Sequence, residues 1–112
     1  MLSEERRREI ASFLRSRRAR IRPEEVGLPR GTRRRTPGLR REEVAALAGI
    51  STEWYTWLEQ ARDVRPSRAV LQDIAAALRL EPEETTHLLT LAGYHRDGPR
   101  NGSASPASIS TP

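Results

Sequence analysis

Residues 40–61 read RREEVAALAGISTEWYTWLEQA, and this stretch decides the fold. Val44, Ala45 and Ala48 recur at helical spacing, with Leu47 beside them, which predicts a helix over Arg41–Ala48. Gly49 follows, the residue type that ends a helix in a left-handed conformation without a Cβ penalty. Ser51 is a strong N-cap, and Glu53 suits the first turn of the helix it opens. That second helix, residues 52–60, is expected to bury Tyr55 and Leu58, with Glu59 on the same side. Ala45, four residues before Gly49, is small where two helix backbones must approach, and Ala48 adds a second small contact. The pattern is helix, tight turn, helix.

The flanking sequence supplies three more helices. From about residue 3 to 20, Ile10, Phe13 and Leu14 lie on one face, continued by Ile21, and the opposite face is arginine. Ser3 is the expected N-cap, Glu4 and Glu5 fall in the first turn, and arginines crowd the end, which suits the helix dipole. Residues 22–38, RPEEVGLPRGTRRRTPG, hold three prolines and three glycines and read as a loop, anchored by Val26 and Leu28. After RDVRP at 62–66, Ser67 caps a fourth helix in which Val70, Leu71, Ile74 and Leu78 line one face. Pro82 fits the first turn of a fifth, with Glu83 and Glu84 near its start, Leu88, Leu89 and Leu91 as its stripe, and Gly93 at its close. The fold class is therefore all-α: a compact five-helix domain over residues 1–94, with the helix-turn-helix proper at 41–60. Eleven of the seventeen residues at 96–112 are Gly, Ser, Pro or Ala. Residues 95–112 are expected to be a disordered tail or a linker.

Composition narrows the function. The 112 residues suffice for one small domain, and 36% hydrophobic content closes a modest core. No apolar run approaches the roughly 18–20 residues of a membrane span. MLSEERRREI lacks the apolar stretch of a secretory signal, so a cytoplasmic location is expected. The absence of cysteine removes disulfide frameworks, thiolate metal sites and thiol nucleophiles. His87 and His95 stand eight apart without a partner at metal spacing, and no phosphate-binding glycine loop or nucleophile elbow is present. Nothing points to an enzyme, a metal or a cofactor. All twenty basic residues are arginine, and fourteen of them stand in residues 1–41 against five acids, while residues 42–112 carry six against ten. That asymmetry predicts a polyanionic partner.

The segment Val44–Glu59, V-A-A-L-A-G-I-S-x-x-x-Y-x-x-L-E, resembles the phage-repressor (XRE) class of helix-turn-helix regulators. The likeness covers about residues 3–93. The wider string RRRTPGLRREEVAALAGIS, residues 33–51, followed by WYTWLEQARDVRPS, resembles the DNA-binding domain of the MmyB-like subfamily of actinobacterial regulators. The resemblance implies a phage-repressor-like fold, double-stranded DNA as partner, a nucleoid-associated location, and an effector-binding domain C-terminal to this chain. It implies also that the chain is a fragment or a naturally short member. One departure is Ala61, where the family has glycine after LEQ; if that position takes a positive φ, alanine costs on the order of 1 kcal/mol there.

By that resemblance the second helix of the motif enters the major groove, and Thr52, Glu53, Thr56 and Trp57 are the expected base contacts. Tyr55 is core, and Trp54 packs on the arginine-rich loop. Phosphate contacts are expected from Arg33, Arg34, Arg35, Arg40 and Arg41 before and at the start of the motif. Gln60, Arg62, Arg65 and Ser67 are expected to serve the same purpose after it. Glu59 is expected to pair with Arg18 and brace the recognition helix against the first helix. The leucines of the fifth helix are the natural surface for a homodimer, with completion of the core as the alternative. The competing reading is a protein-interaction module, antitoxin-like or coactivator-like, with little affinity for DNA.

Overall fold

The computed structural model describes residues 2–27 and 38–94, whose regular structure is all helical, with no strand among them. Five α-helices are present: α1 (Glu4–Arg20), α2 (Arg41–Ala48), α3 (Thr52–Glu59), α4 (Arg68–Ala77) and α5 (Pro82–Leu91). Between α1 and α2 lies a short 3₁₀ turn, Pro23–Val26, inside the stretch whose prolines and glycines predict a loop. Proline at its first position presets φ, and Gly27 ends it at φ 79°. Leu28, the Arg33–Arg35 run, His95 and the 95–112 segment lie outside the described residues.

The helix starts are chemically explicit. Ser3, Ser51 and Ser67 accept hydrogen bonds from the backbone N–H groups of Arg6, Trp54 and Val70, at 3.1, 3.0 and 3.1 Å. At α2 and α5 a carboxylate reaches back instead. Glu43 accepts from the Arg40 amide at 2.7 Å, and Glu84 from the Glu81 amide at 2.9 Å. The tight turn after α2 is closed by Gly49 at φ 74°, with the Ile50 N–H donating to the Ala45 carbonyl at 3.0 Å. The equivalent turn after α3 has no glycine. Ala61 adopts φ 60° there, and the Arg62 amide returns to the Trp57 carbonyl at 3.0 Å.

The principal helix contacts form a closed circuit: α1 on α3, α3 on α2, α2 on α4, α4 on α5, and α5 back on α1. Ile10, Leu14, Leu39, Val44, Ala45, Tyr55, Leu71, Ile74, Leu78 and Leu88 fill its centre, each at most 2% exposed. Val70 only leans on this core, and Leu47 falls beyond the arc of α2 that Val44, Ala45 and Ala48 bury. At 42% exposure, Leu47 is the exposed large hydrophobic of the described residues. The α5 leucines face inward: Leu88 is fully buried, Leu91 is 9% exposed, and Leu89 packs half-buried against the cluster. The stripe packs against α1 and α4 and completes the core, the alternative expected for it.

Gly38 is more than a helix breaker. The Leu39 amide donates to the Arg18 carbonyl at 3.1 Å, which draws the backbone onto the end of α1. A Cβ at Gly38 would stand 2.5 Å from the Ala19 Cα and 2.5 Å from the Arg18 oxygen. Gly38→Ala is expected to destabilise the domain by about 1–3 kcal/mol, read from denaturant unfolding. Ala61→Gly acts in the other direction. Relief of the left-handed strain should stabilise by up to about 1 kcal/mol in the same measurement.

Candidate nucleic-acid interface

α3 has two unlike sides. Tyr55, Leu58 and Glu59 face inward at 0%, 4% and 1% exposure. Thr52, Glu53 and Gln60 are exposed, and Thr56 and Trp57 are half-exposed. The helix ends at Glu59, with Gln60 as its C-cap, one residue short of the expected span. Trp54 leans on the hydrophobic core; the loop expected to receive it lies outside the described residues.

Glu59 is a buried carboxylate with an unusually complete set of donors. Arg18 on α1 meets it fork to fork, Nε to Oε2 at 2.7 Å and Nη2 to Oε1 at 2.8 Å. Arg41, at the first position of α2, adds Nε to Oε1 at 3.0 Å. Arg18 also donates Nη1 to the Leu39 carbonyl at 2.9 Å. One side chain of α3 thereby fixes α1, α2 and the segment that leads into α2. Arg41 was expected at phosphate; the structure brings it to Glu59, with its side chain 39% exposed. The Tyr55 hydroxyl lies buried within reach of the Glu59 charge but makes no hydrogen bond of good geometry. Burial, then the neighbouring carboxylate, pushes its pKa up.

The arginines of α1 mostly serve the fold. Arg15 donates to the Glu59 backbone carbonyl, and Arg7 to the Ala61 carbonyl at 3.1 Å, so α1 caps the C-terminal end of α3. Arg6 does the same for α5 through the Thr90 carbonyl at 3.0 Å. Arg17 and Arg20 share the Glu84 carboxylate at 2.8 and 2.9 Å. The excess of arginine in residues 1–41 suggests a polyanion, and it gives no sign that Arg7 and Arg15 act as caps. The one available signal was their spacing from Arg18 along a common side of the helix.

The remaining expected contacts flank α3. Arg40 immediately precedes α2 and is half-exposed. Arg62 and Arg65 are exposed in the segment after α3, and the Arg62 guanidinium lies 5.9 Å over the Trp57 ring. Ser67 is committed as the α4 N-cap, which uses a lone pair and leaves its hydroxyl proton as donor. The Thr56 hydroxyl donates to the Thr52 carbonyl at 2.8 Å. His87 is exposed on α5, its ring 5.3 Å from Phe13. Among the described residues no three metal-ligating side chains converge, and no helix is long and apolar enough to cross a membrane.

Two short helices joined at a left-handed glycine, the second anchored inside and open outside, define a helix-turn-helix, a DNA-binding class. The family described as "Helix-turn-helix domain" matches residues 9–88, which run from within α1 to within α5. The chain belongs to that family. No curated protein and no solved structure matches it.

Burial pushes the Glu59 carboxyl up, but hydrogen bonds from Arg18 and Arg41, with the Tyr55 hydroxyl alongside, outweigh it, and the group lies below its ordinary 4.5. Glu84 is lowered too, by the Glu81 amide and then Arg20. Depressed carboxylates stabilise the fold above the unfolded-state value, and that stability is lost as pH falls through the folded-state value. Stability should therefore decline below about pH 4.5. Glu59→Gln leaves buried positive charge unmatched and is expected to cost about 3 kcal/mol near neutral pH. Its deficit against the parent chain should shrink toward pH 3, as denaturant titrations at the two pH values would read.

Proposed function

We propose that this chain is the DNA-binding part of a sequence-specific transcriptional regulator of the phage-repressor type, MmyB-like in subfamily. α3 enters the major groove of double-stranded DNA. The observation that carries this reading is the division of α3: its inner side is locked by Glu59, and its outer N-terminal side is left to solvent between arginines. Thr52, Glu53, Thr56 and Trp57 meet base edges. Arg40, Arg62 and Arg65, with Gln60 and Ser67, hold the sugar-phosphate backbone, and Arg41 joins them from its place beside Glu59. The Arg33–Arg35 run extends the same footprint. Residues 1–94 form the binding unit, and 95–112 lead toward an effector-binding region. Its working place is inside the cell, on the nucleoid.

The protein-interaction alternative needs an apolar surface on α4 and α5. The inward turn of the α5 leucines counts against it. Salt dependence separates the two readings. Phosphate contacts release counterions, so affinity for duplex should fall with a log–log slope of about −0.9 for each phosphate neutralised. About six such contacts would lower affinity roughly a thousandfold between about 50 and 200 mM salt. Fluorescence anisotropy with a duplex recovered from a random library would measure the slope. Arg62→Gln should make it shallower by about one phosphate. An affinity for duplex that ignores salt would remove the DNA reading.

A further inference from the structure

We propose that Glu53 and Thr56 read base pairs through hydrogen-bond acceptors and a methyl group, and that Glu53 selects cytosine at its base step. The inference rests on the placement of α3 in the major groove. Its outward side chains are Thr52, Glu53, Thr56, Trp57 and Gln60, with no arginine or lysine among them. Guanine offers acceptors at N7 and O6, and its usual readers are those two cationic donors. This helix carries neither.

Glu53 is exposed in the first turn of α3, where a recognition helix meets base edges. It stands at the second helical position, so it does not close a capping box as Glu43 and Glu84 do at the third position of α2 and α5. Ser51 already holds the Trp54 amide at the start of α3. A carboxylate only accepts hydrogen bonds. In the major groove the base donors are cytosine N4 and adenine N6; guanine and thymine present acceptors. Adenine sets its N7 lone pair beside the amino group, whereas cytosine sets a C–H there. Two carboxylate oxygens therefore fit cytosine and repel the other three bases to differing degrees.

Thr56 follows the same rule. It lies three residues from Glu53, on the same helix face. Its hydroxyl proton is spent on the Thr52 carbonyl at 2.8 Å. What remains outward is oxygen lone pairs and a methyl group, suited to an amino group or to the thymine methyl. Neighbouring positions thus agree on what they accept.

A carboxylate facing DNA also repels phosphate, which gives the proposal a second signature. The full chain, Glu53→Gln and Glu53→Ala are each put through selection from a random duplex library at about 150 mM salt. The recovered duplexes are then titrated against single-base changes, with thermal melting as a check on folding. The expected result is a cytosine in the parent motif that both variants release. Discrimination there should fall about tenfold. Affinity for unrelated duplex should rise several-fold as the repulsion is removed. An unchanged motif with lowered melting temperature would reduce Glu53 to a helix-dipole residue and overturn the proposal. A released position occupied by guanine or thymine would overturn it too, with DNA binding by α3 intact. Absence of any motif, with binding insensitive to salt, would overturn both this proposal and the major-groove placement beneath it.

Discussion

A carboxylate removed from water has to be neutralised where it lies. Glu59 is 1% exposed, and its neutralisers come from two other helices. Arg18 supplies a planar fork from α1, and Arg41 a single contact from the start of α2. Such an arrangement adds little net stability relative to a well-packed apolar core, because taking charge out of water is costly. It does specify orientation. The hydrogen bonds close only when α1, α2 and α3 stand at one set of angles. The outer face of α3 is the complement of the face that Glu59 ties down. The solvent-facing side of α3 is therefore defined from the inside.

The same economy runs through the arginines of α1. The concentration of positive charge in the first forty-one residues is plain in the sequence, and a polyanion is its simplest reading. Arg6, Arg7, Arg15, Arg17, Arg18 and Arg20 instead meet carbonyls and carboxylates of the fold. Helix C-termini expose carbonyls that carry partial negative charge, and guanidinium groups satisfy them as well as they satisfy phosphate. A count of charges does not separate the two uses. Arg62 and Arg65, exposed just after the helix-turn-helix, carry more of the case for nucleic acid than the charge of α1 does.

Features that depend on local chemistry were legible in the sequence. Ser3, Ser51 and Ser67 cap the helices they precede, Gly49 takes the left-handed turn, and Pro82 opens α5, because each acts on backbone within four residues of itself. The positive φ of Ala61 followed from the missing glycine of a resembling family. Features set by distant neighbours were not legible. The leucines of α5 are apolar whether they face a second copy or their own core, and only the positions of α1 and α4 decide. Arg41 sits at a helix start that favours an anion, yet the anion it meets is Glu59, eighteen residues away. Gly38 reads as a loop residue until the end of α1 is seen against it.

The circuit of helices closes on its first member. Arg6 bonds to the Thr90 carbonyl across eighty-four residues, and Arg17 to Glu84 across sixty-seven. Within the domain α1 is made before the surfaces that receive it, α3 and then α5. It leaves the ribosome with Ile10, Phe13 and Leu14 uncovered, and nothing built before α3 can shelter them. Contacts elsewhere in the domain join helices one or two elements apart, which keeps their loop closures short. Docking of α1 instead waits on loop closure over most of the domain. The first helix of the domain to be made is thus the one whose burial completes the native state.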